Sequence, residues 1–240
     1  MRLRTAVAPV CVSLALSLAG LSLTACAPAP EPGASGQVRE YFIAADEVVW
    51  DYAPSGMNQI TGEAWTPFEA SFMVRGRDRI GSAYKKALYR EYTDATFTTL
   101  KPRPADQEYL GFLGPVVRAE VGDTIRITFR NNASFPASLH PHGVFYNKDS
   151  EGSPYVDGTS GSDKADDGVP IGGTHVYTWE VPERAGPGPG DGSSVLWMYH
   201  SHVQEVADVN AGLVGPMIVT ARGVAREDGS PSDVDREYIV

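Results

Sequence analysis

Gly122-Asp123-Thr124-Ile125-Arg126-Ile127-Thr128-Phe129-Arg130-Asn131-Asn132 is the stretch on which the fold class turns. A Gly-Asp turn opens it, two asparagines close it, and apolar and polar residues alternate strictly between them. Residues i and i+2 of a strand share a face. Ile125, Ile127 and Phe129 therefore point inward, and Thr124, Arg126, Thr128 and Arg130 point outward, as in a strand with one buried face.

The segments on either side repeat this grammar. Residues 39–45 read as a buried strand, with Tyr41 and Ile43 on one face and Phe42 on the other, and Val48, Val49 and Trp50 continue it. Residues 51–62 are turn-rich, and 75–95 read as a long loop or short strands rather than a helix. Strand-like apolar content also marks 111–122, 175–181 (stopped by Pro182), 195–202 and 212–220, while 185–194 is a Gly/Pro loop. In 195–202, Leu196, Met198, His200 and His202 share one face, and Val195, Trp197 and Tyr199 the other. Many short strands, Gly/Pro turns and no long helical pattern indicate an all-β sandwich or barrel.

Within ten residues of the first strand comes Leu139-His140-Pro141-His142-Gly143, and sixty residues later Tyr199-His200-Ser201-His202. Four of the five histidines fall in these two pairs. On extended chain each pair presents two imidazoles to one side. Two pairs together would form a four-nitrogen site suited to copper, zinc, iron or nickel; the competing interpretation is histidines satisfied by hydrogen bonds within a sheet. His175 has no such partner and is read as a core or surface histidine. Glu151, Asp157, Asp163, Asp166 and Asp167 crowd a glycine-containing loop. Such a loop suits a hard cation such as calcium or is simply a solvated acidic loop; its spacing is not that of an EF-hand.

Residues 1–25 have a basic start at Arg2 and Arg4, an apolar run, and then Leu23-Thr24-Ala25-Cys26. The last four resemble a bacterial lipoprotein lipobox, which implies cleavage before Cys26 and lipidation of its sulfur. The alternative is an uncleaved membrane anchor, for which the run is short. Either places the body outside the cytoplasm at a membrane. Residues 26–37 read as the lipidated cysteine and a Pro/Ala/Gly-rich tether. Losing Arg2 and Arg4 takes the formal charge from −10 to −12, and neither cysteine, Cys11 or Cys26, lies in the folded body. An acidic surface argues against nucleic acid and favours cations.

Taken together, GDTIRITFRNN, LHPHGVFYNKDSEG, KADDGVPIGGTHVYTWEVPERAGPGPGDGSS, WMYHSHV and GLVGPMIV resemble the first cupredoxin domain of multicopper oxidases of the ceruloplasmin type, and the related A domains of coagulation factors five and eight. The resemblance covers residues 39–220, about three quarters of the chain. It implies a cupredoxin-like Greek-key β-sandwich over 38–225. It also implies a trinuclear copper cluster, built by the family from eight histidines of two domains. By the resemblance His140 is a type 2 copper ligand, and His142, His200 and His202 are type 3 ligands. A calcium ion would be held by Asp166 and Asp167, with Asp163 and the carbonyl of Lys148.

The departures matter equally. Four of the family's cluster histidines are absent, and the type 1 copper has no cysteine after Cys26 to bind it. The expected partner is therefore a second cupredoxin domain, in cis or in trans. Arg236-Glu237-Tyr238-Ile239-Val240 echoes Arg39-Glu40-Tyr41-Phe42-Ile43, so 226–240 read as a linker and the start of such a domain. The expected activity is oxidation of a one-electron donor, a metal ion or a phenol, with reduction of dioxygen to water. A non-catalytic copper-binding or storage lipoprotein, a structural A-type domain and a copper nitrite reductase relative are the alternatives.

Overall fold

The computed structural model describes residues 36–240, so Cys26 and the leader lie outside the described residues. Among the described residues nine strands form two sheets. The first sheet is ordered β2-β1-β4-β7-β6, from β1 (Val38–Asp51), β2 (Ala83–Tyr92), β4 (Thr124–Asn131), β6 (Phe145–Tyr146) and β7 (Thr174–Glu180). The second is ordered β3-β9-β8-β5, from β3 (Val117–Glu120), β5 (His140–Pro141), β8 (Ser194–His200) and β9 (Val214–Thr220). The pairs β1/β4 and β3/β9 are parallel and the others antiparallel. Crossovers between non-neighbouring strands make a Greek-key sandwich of the cupredoxin-like, all-β class.

The core lies between the sheets. Ile43, Ala45, Tyr89, Ile125, Ile127, Phe129, Tyr177 and Trp179 from the first sheet meet Val117, Ala119, Tyr199, Met217 and Val219 from the second. The alternation in β4 is as the sequence predicts, with Ile125, Ile127 and Phe129 fully buried. Each large buried aromatic with a polar tip finds a backbone acceptor: Tyr89 on Ser138, Tyr177 on Asp166, Trp179 on Ser150 and Tyr199 on Pro115. These bonds remove the cost of burying the hydroxyl and indole groups.

Three segments differ from the sequence reading. Residues 83–92 form one ten-residue strand that pairs with β1 from Phe42↔Tyr92 to Asp51↔Ala83. Its charged residues, such as Lys85 and Arg90, mask the period, although Ala87, Leu88 and Tyr89 are buried. Two short helices, α1 (Pro67–Met73) and α2 (Glu205–Ala211), were hidden because two turns are too few to show a 3.6-residue period. α1 is started by a capping box of Thr66 and Glu69, with Pro67 at its first position.

Asp123, from the opening Gly-Asp turn, ties three chain segments together. Its carboxylate accepts from Gln37 N, Glu120 N and the Arg39 guanidinium at 2.7–2.9 Å, and it is buried. Asp123→Ala leaves the nearly buried Arg39 without its carboxylate partner, with only the Glu227 carbonyl still bonded. It should cost about 3 kcal/mol of stability, measured as a fall in the urea midpoint without change in slope; an unchanged midpoint would refute this role.

Candidate metal centre

The two histidine pairs meet at one rim of the sandwich. β5 and β8 pair antiparallel with His140 opposite His200, and His142 N bonds to Met198 O at 2.9 Å, extending the ladder by one rung. The imidazole of His140 lies 5.4 Å from that of His142, 5.6 Å from His200 and 5.1 Å from His202, centroid to centroid. His142 and His200 are 5.1 Å apart and their Nε2 atoms face each other at 3.0 Å. His200 is buried, His140 and His202 are half-buried, and His142 is exposed.

Two of the tautomers follow from chemistry. A backbone carbonyl can only accept, so Nδ1 of His140, 2.6 Å from Glu151 O, carries a hydrogen, and so does Nδ1 of His200, 3.0 Å from Ser201 O. Each therefore turns an Nε2 lone pair toward the rim, the form a metal needs; without metal, that of His200 accepts from His142 Nε2. Burial lowers the pKa of both His140 and His142, and the neighbouring imidazoles lower it further.

Ser138, Ser201 and Asp208, which motif reading passes over, hold the two segments together. Ser201 Oγ accepts from Ser138 N at 3.1 Å and donates to Asp208 Oδ2 at 2.6 Å. Ser138 Oγ accepts from His202 N at 3.1 Å and donates to Gly152 O at 2.6 Å. All three residues are buried. Ser201, the residue between His200 and His202, is the only sequence signal of this network. Gly143 is required for a different reason: its φ is +82°, and a Cβ there would stand 2.3 Å from the Trp197 ring.

The acidic loop is partly assembled. Asp166 and Asp167 are buried side by side in sequence, and Oδ1 of each, like Ser153 Oγ, has no hydrogen-bond partner. Burial pushes the Asp166 carboxyl above its usual range, offset in part by Gly152 N–H. The Lys148 ammonium pairs with Glu151 at 2.7 Å and Asp157 at 2.9 Å, and that of Lys164 with Asp167 at 3.1 Å. Asp163 is exposed on a single 3-10 turn, Gly161–Lys164. His175 lies on β7, in the other sheet, with Nε2 2.8 Å from Asp149 O and its ring 4.7 Å from Tyr177. Among the described residues no three His, Cys, Asp or Glu side chains are grouped to hold one ion, and no helix is long and apolar enough to cross a membrane.

Residues 110–223 match the family model described as multicopper oxidase. The chain is 49% identical over 215 residues to human ferroxidase HEPHL1, covering 87% of this chain and 18% of that protein. It is 47% identical over 209 residues to mouse hephaestin (85% and 18%) and 43% identical over 211 residues to human ceruloplasmin (84% and 20%). It thus spans about one fifth of the length of these relatives. Solved structures superpose loosely. A multicopper oxidase from Pseudomonas thermotolerans gives a TM-score of 0.43 at 19% identity (85% of this chain, 38% of that one). One from Campylobacter jejuni, described as a metallo-oxidase, gives 0.41 at 16% (78% and 27%).

A histidine whose folded pKa is depressed takes up its proton at lower pH than in the unfolded chain. Between the folded value and 6.5 the unfolded state binds more protons, so stability rises with pH there and is lost as pH falls below 6.5. The melting temperature of the metal-free chain should show that slope, and a His140→Asn, His142→Asn double variant should flatten it. Equal slopes in the two proteins would contradict the assignment.

Proposed function

The chain carries a cupredoxin domain of the multicopper oxidase family, and on that premise we propose that it supplies half of a trinuclear copper site, in an oxidase that takes electrons from ferrous iron and reduces dioxygen to water. The observation that carries this is the meeting of four imidazoles, two with Nε2 lone pairs turned to the rim by Nδ1–H bonds to carbonyls. Copper held there would supply the one-electron steps that reduction of dioxygen requires.

The donor set fits such a site. Two nitrogens bound to one ion at about 2.0 Å stand roughly 3 Å apart; His142 and His200, at 3.0 Å, suit one shared type 3 ion. His202 serves the other type 3 ion and His140 the type 2 ion. The four remaining histidines, and the cysteine of a type 1 site, come from a second cupredoxin domain in cis or in trans. The Arg236–Val240 echo of the β1 sequence supports the cis arrangement. Iron is preferred over a phenol as donor because human HEPHL1, 49% identical to this chain, is described as a ferroxidase, and an acidic protein attracts cations. Relatives at 43–49% identity favour this over a storage lipoprotein or a nitrite reductase relative.

Calcium is assigned to the acidic loop, at Asp166 and Asp167 with the Lys148 carbonyl. The two orphaned carboxylate oxygens support it, whereas Asp163 would have to turn in from the surface. The ion would pin the loop behind His140. The leader and Cys26 support an extracytoplasmic, lipid-anchored location.

Equilibrium dialysis of the chain against copper tests the main reading. His142→Ala or His200→Ala should weaken the tightest copper by at least about tenfold, or 1.4 kcal/mol, while His175→Ala leaves it unchanged. The chain alone should oxidise almost no ferrous iron and show no intense blue band. Equal copper affinity in all four proteins, or rapid turnover by the chain alone, would overturn it.

A further inference from the structure

We infer that Asp166 is a positioning residue for His140, acting through the single peptide unit that joins Glu151 to Gly152. The carbonyl of that peptide, Glu151 O, accepts from His140 Nδ1 at 2.6 Å. Its amide, Gly152 N, donates to Asp166 Oδ2 at 2.7 Å. The two bonds share one planar, resonance-coupled group. A carboxylate on the N–H side draws positive charge toward itself and deepens the negative charge on the oxygen that holds the imidazole, so each bond strengthens the other.

The peptide is clamped so that it can transmit orientation as well as charge. Gly152 has φ +68°, and a Cβ there would fall 2.0 Å from Leu139 O, so the backbone of the His140 segment lies directly against it. Gly152 O takes the Ser138 hydroxyl at 2.6 Å, and the Glu151 side chain is held by Lys148 at 2.7 Å. Behind Asp166, its own carbonyl accepts from Tyr177 OH at 2.8 Å. Asp166 is fully buried, its Oδ2 takes the Gly152 amide, and no protein donor reaches its Oδ1. Among the described residues no other carboxylate bonds to this peptide.

Asp166 thereby keeps the proton on Nδ1, aims the Nε2 lone pair at the rim and raises its basicity, as the partners of a ligating histidine do. That the lone pair serves copper rests on the function proposed above; the relay itself does not, and its first test needs no metal.

Imidazole nitrogen NMR of the metal-free chain should show His140 with hydrogen on Nδ1. Asp166→Asn keeps an acceptor for Gly152 N–H but removes the charge. In that variant the His140 Nδ1–H signal should move upfield and exchange faster with water, and copper at His140 should bind about tenfold more weakly. Asp149→Asn loses a charge from the same loop, with its side chain on Ser150 and not on the peptide, and should leave His140 as in the wild type. A wild-type His140 protonated on Nε2 would overturn the relay whether or not any variant folds. So would an Asp166→Asn spectrum unchanged at His140, or the same shift in Asp149→Asn. Absence of copper binding by the wild type, with the NMR results as expected, would refute the copper reading and leave the relay standing.

Discussion

Antiparallel pairing of β5 with β8 places His140 across from His200, and the position of every other group at the rim depends on that register. A slip of one residue would turn Pro141 and Tyr199 to the rim and the histidines to the core. The register is held from both sides of the sheet. Tyr199 is locked in the core with its hydroxyl on Pro115 O, so β8 cannot slide without exposing a large aromatic ring. The backbone bond from His142 to Met198 fixes the far end of β5. Two strand residues would be a weak anchor alone; the buried Ser138–Ser201–Asp208 bonds supply the rest.

Placing neutral imidazoles close together carries little electrostatic penalty, but it requires that their protons be out of the way. The structure does this with backbone carbonyls, those of Glu151 and Ser201, rather than with carboxylates. No acid of this network stands directly on His140 or His200; the negative charge is held one peptide further back, at Asp166. The acidic loop and the histidine rim are thus not independent. Glu151 and Gly152 belong to both, and a cation on Asp166 and Asp167 would be felt at the histidines.

Much of this was legible in the sequence, for identifiable reasons. The alternation of Thr124 to Arg130 is a period-2 signal long enough to read, and it is a strand. The His-x-His pairs declare themselves by composition, since four of five histidines fall in them. β2 was not legible because Lys85, Lys86 and Arg90 interrupt its apolar pattern, while the pairing that makes it a strand is with β1, some forty residues away. α2 was hidden by its length. Within the site, Ser138 was invisible because its hydroxyl bonds backbone groups, and Asp208 because its carboxylate meets the hydroxyl of Ser201 rather than a histidine; neither leaves a spacing rule behind. Asp163, a calcium ligand by the resemblance, lies exposed, an orientation that the run of acids around it does not disclose.

The most direct measurement is anomalous diffraction at the copper edge from crystals of the chain grown with copper. A peak between Nε2 of His142 and Nε2 of His200, bonded to both, is what the arrangement of the rim predicts. Copper found only at His175 or in the acidic loop, or the two histidine pairs lying apart in the density, would contradict it.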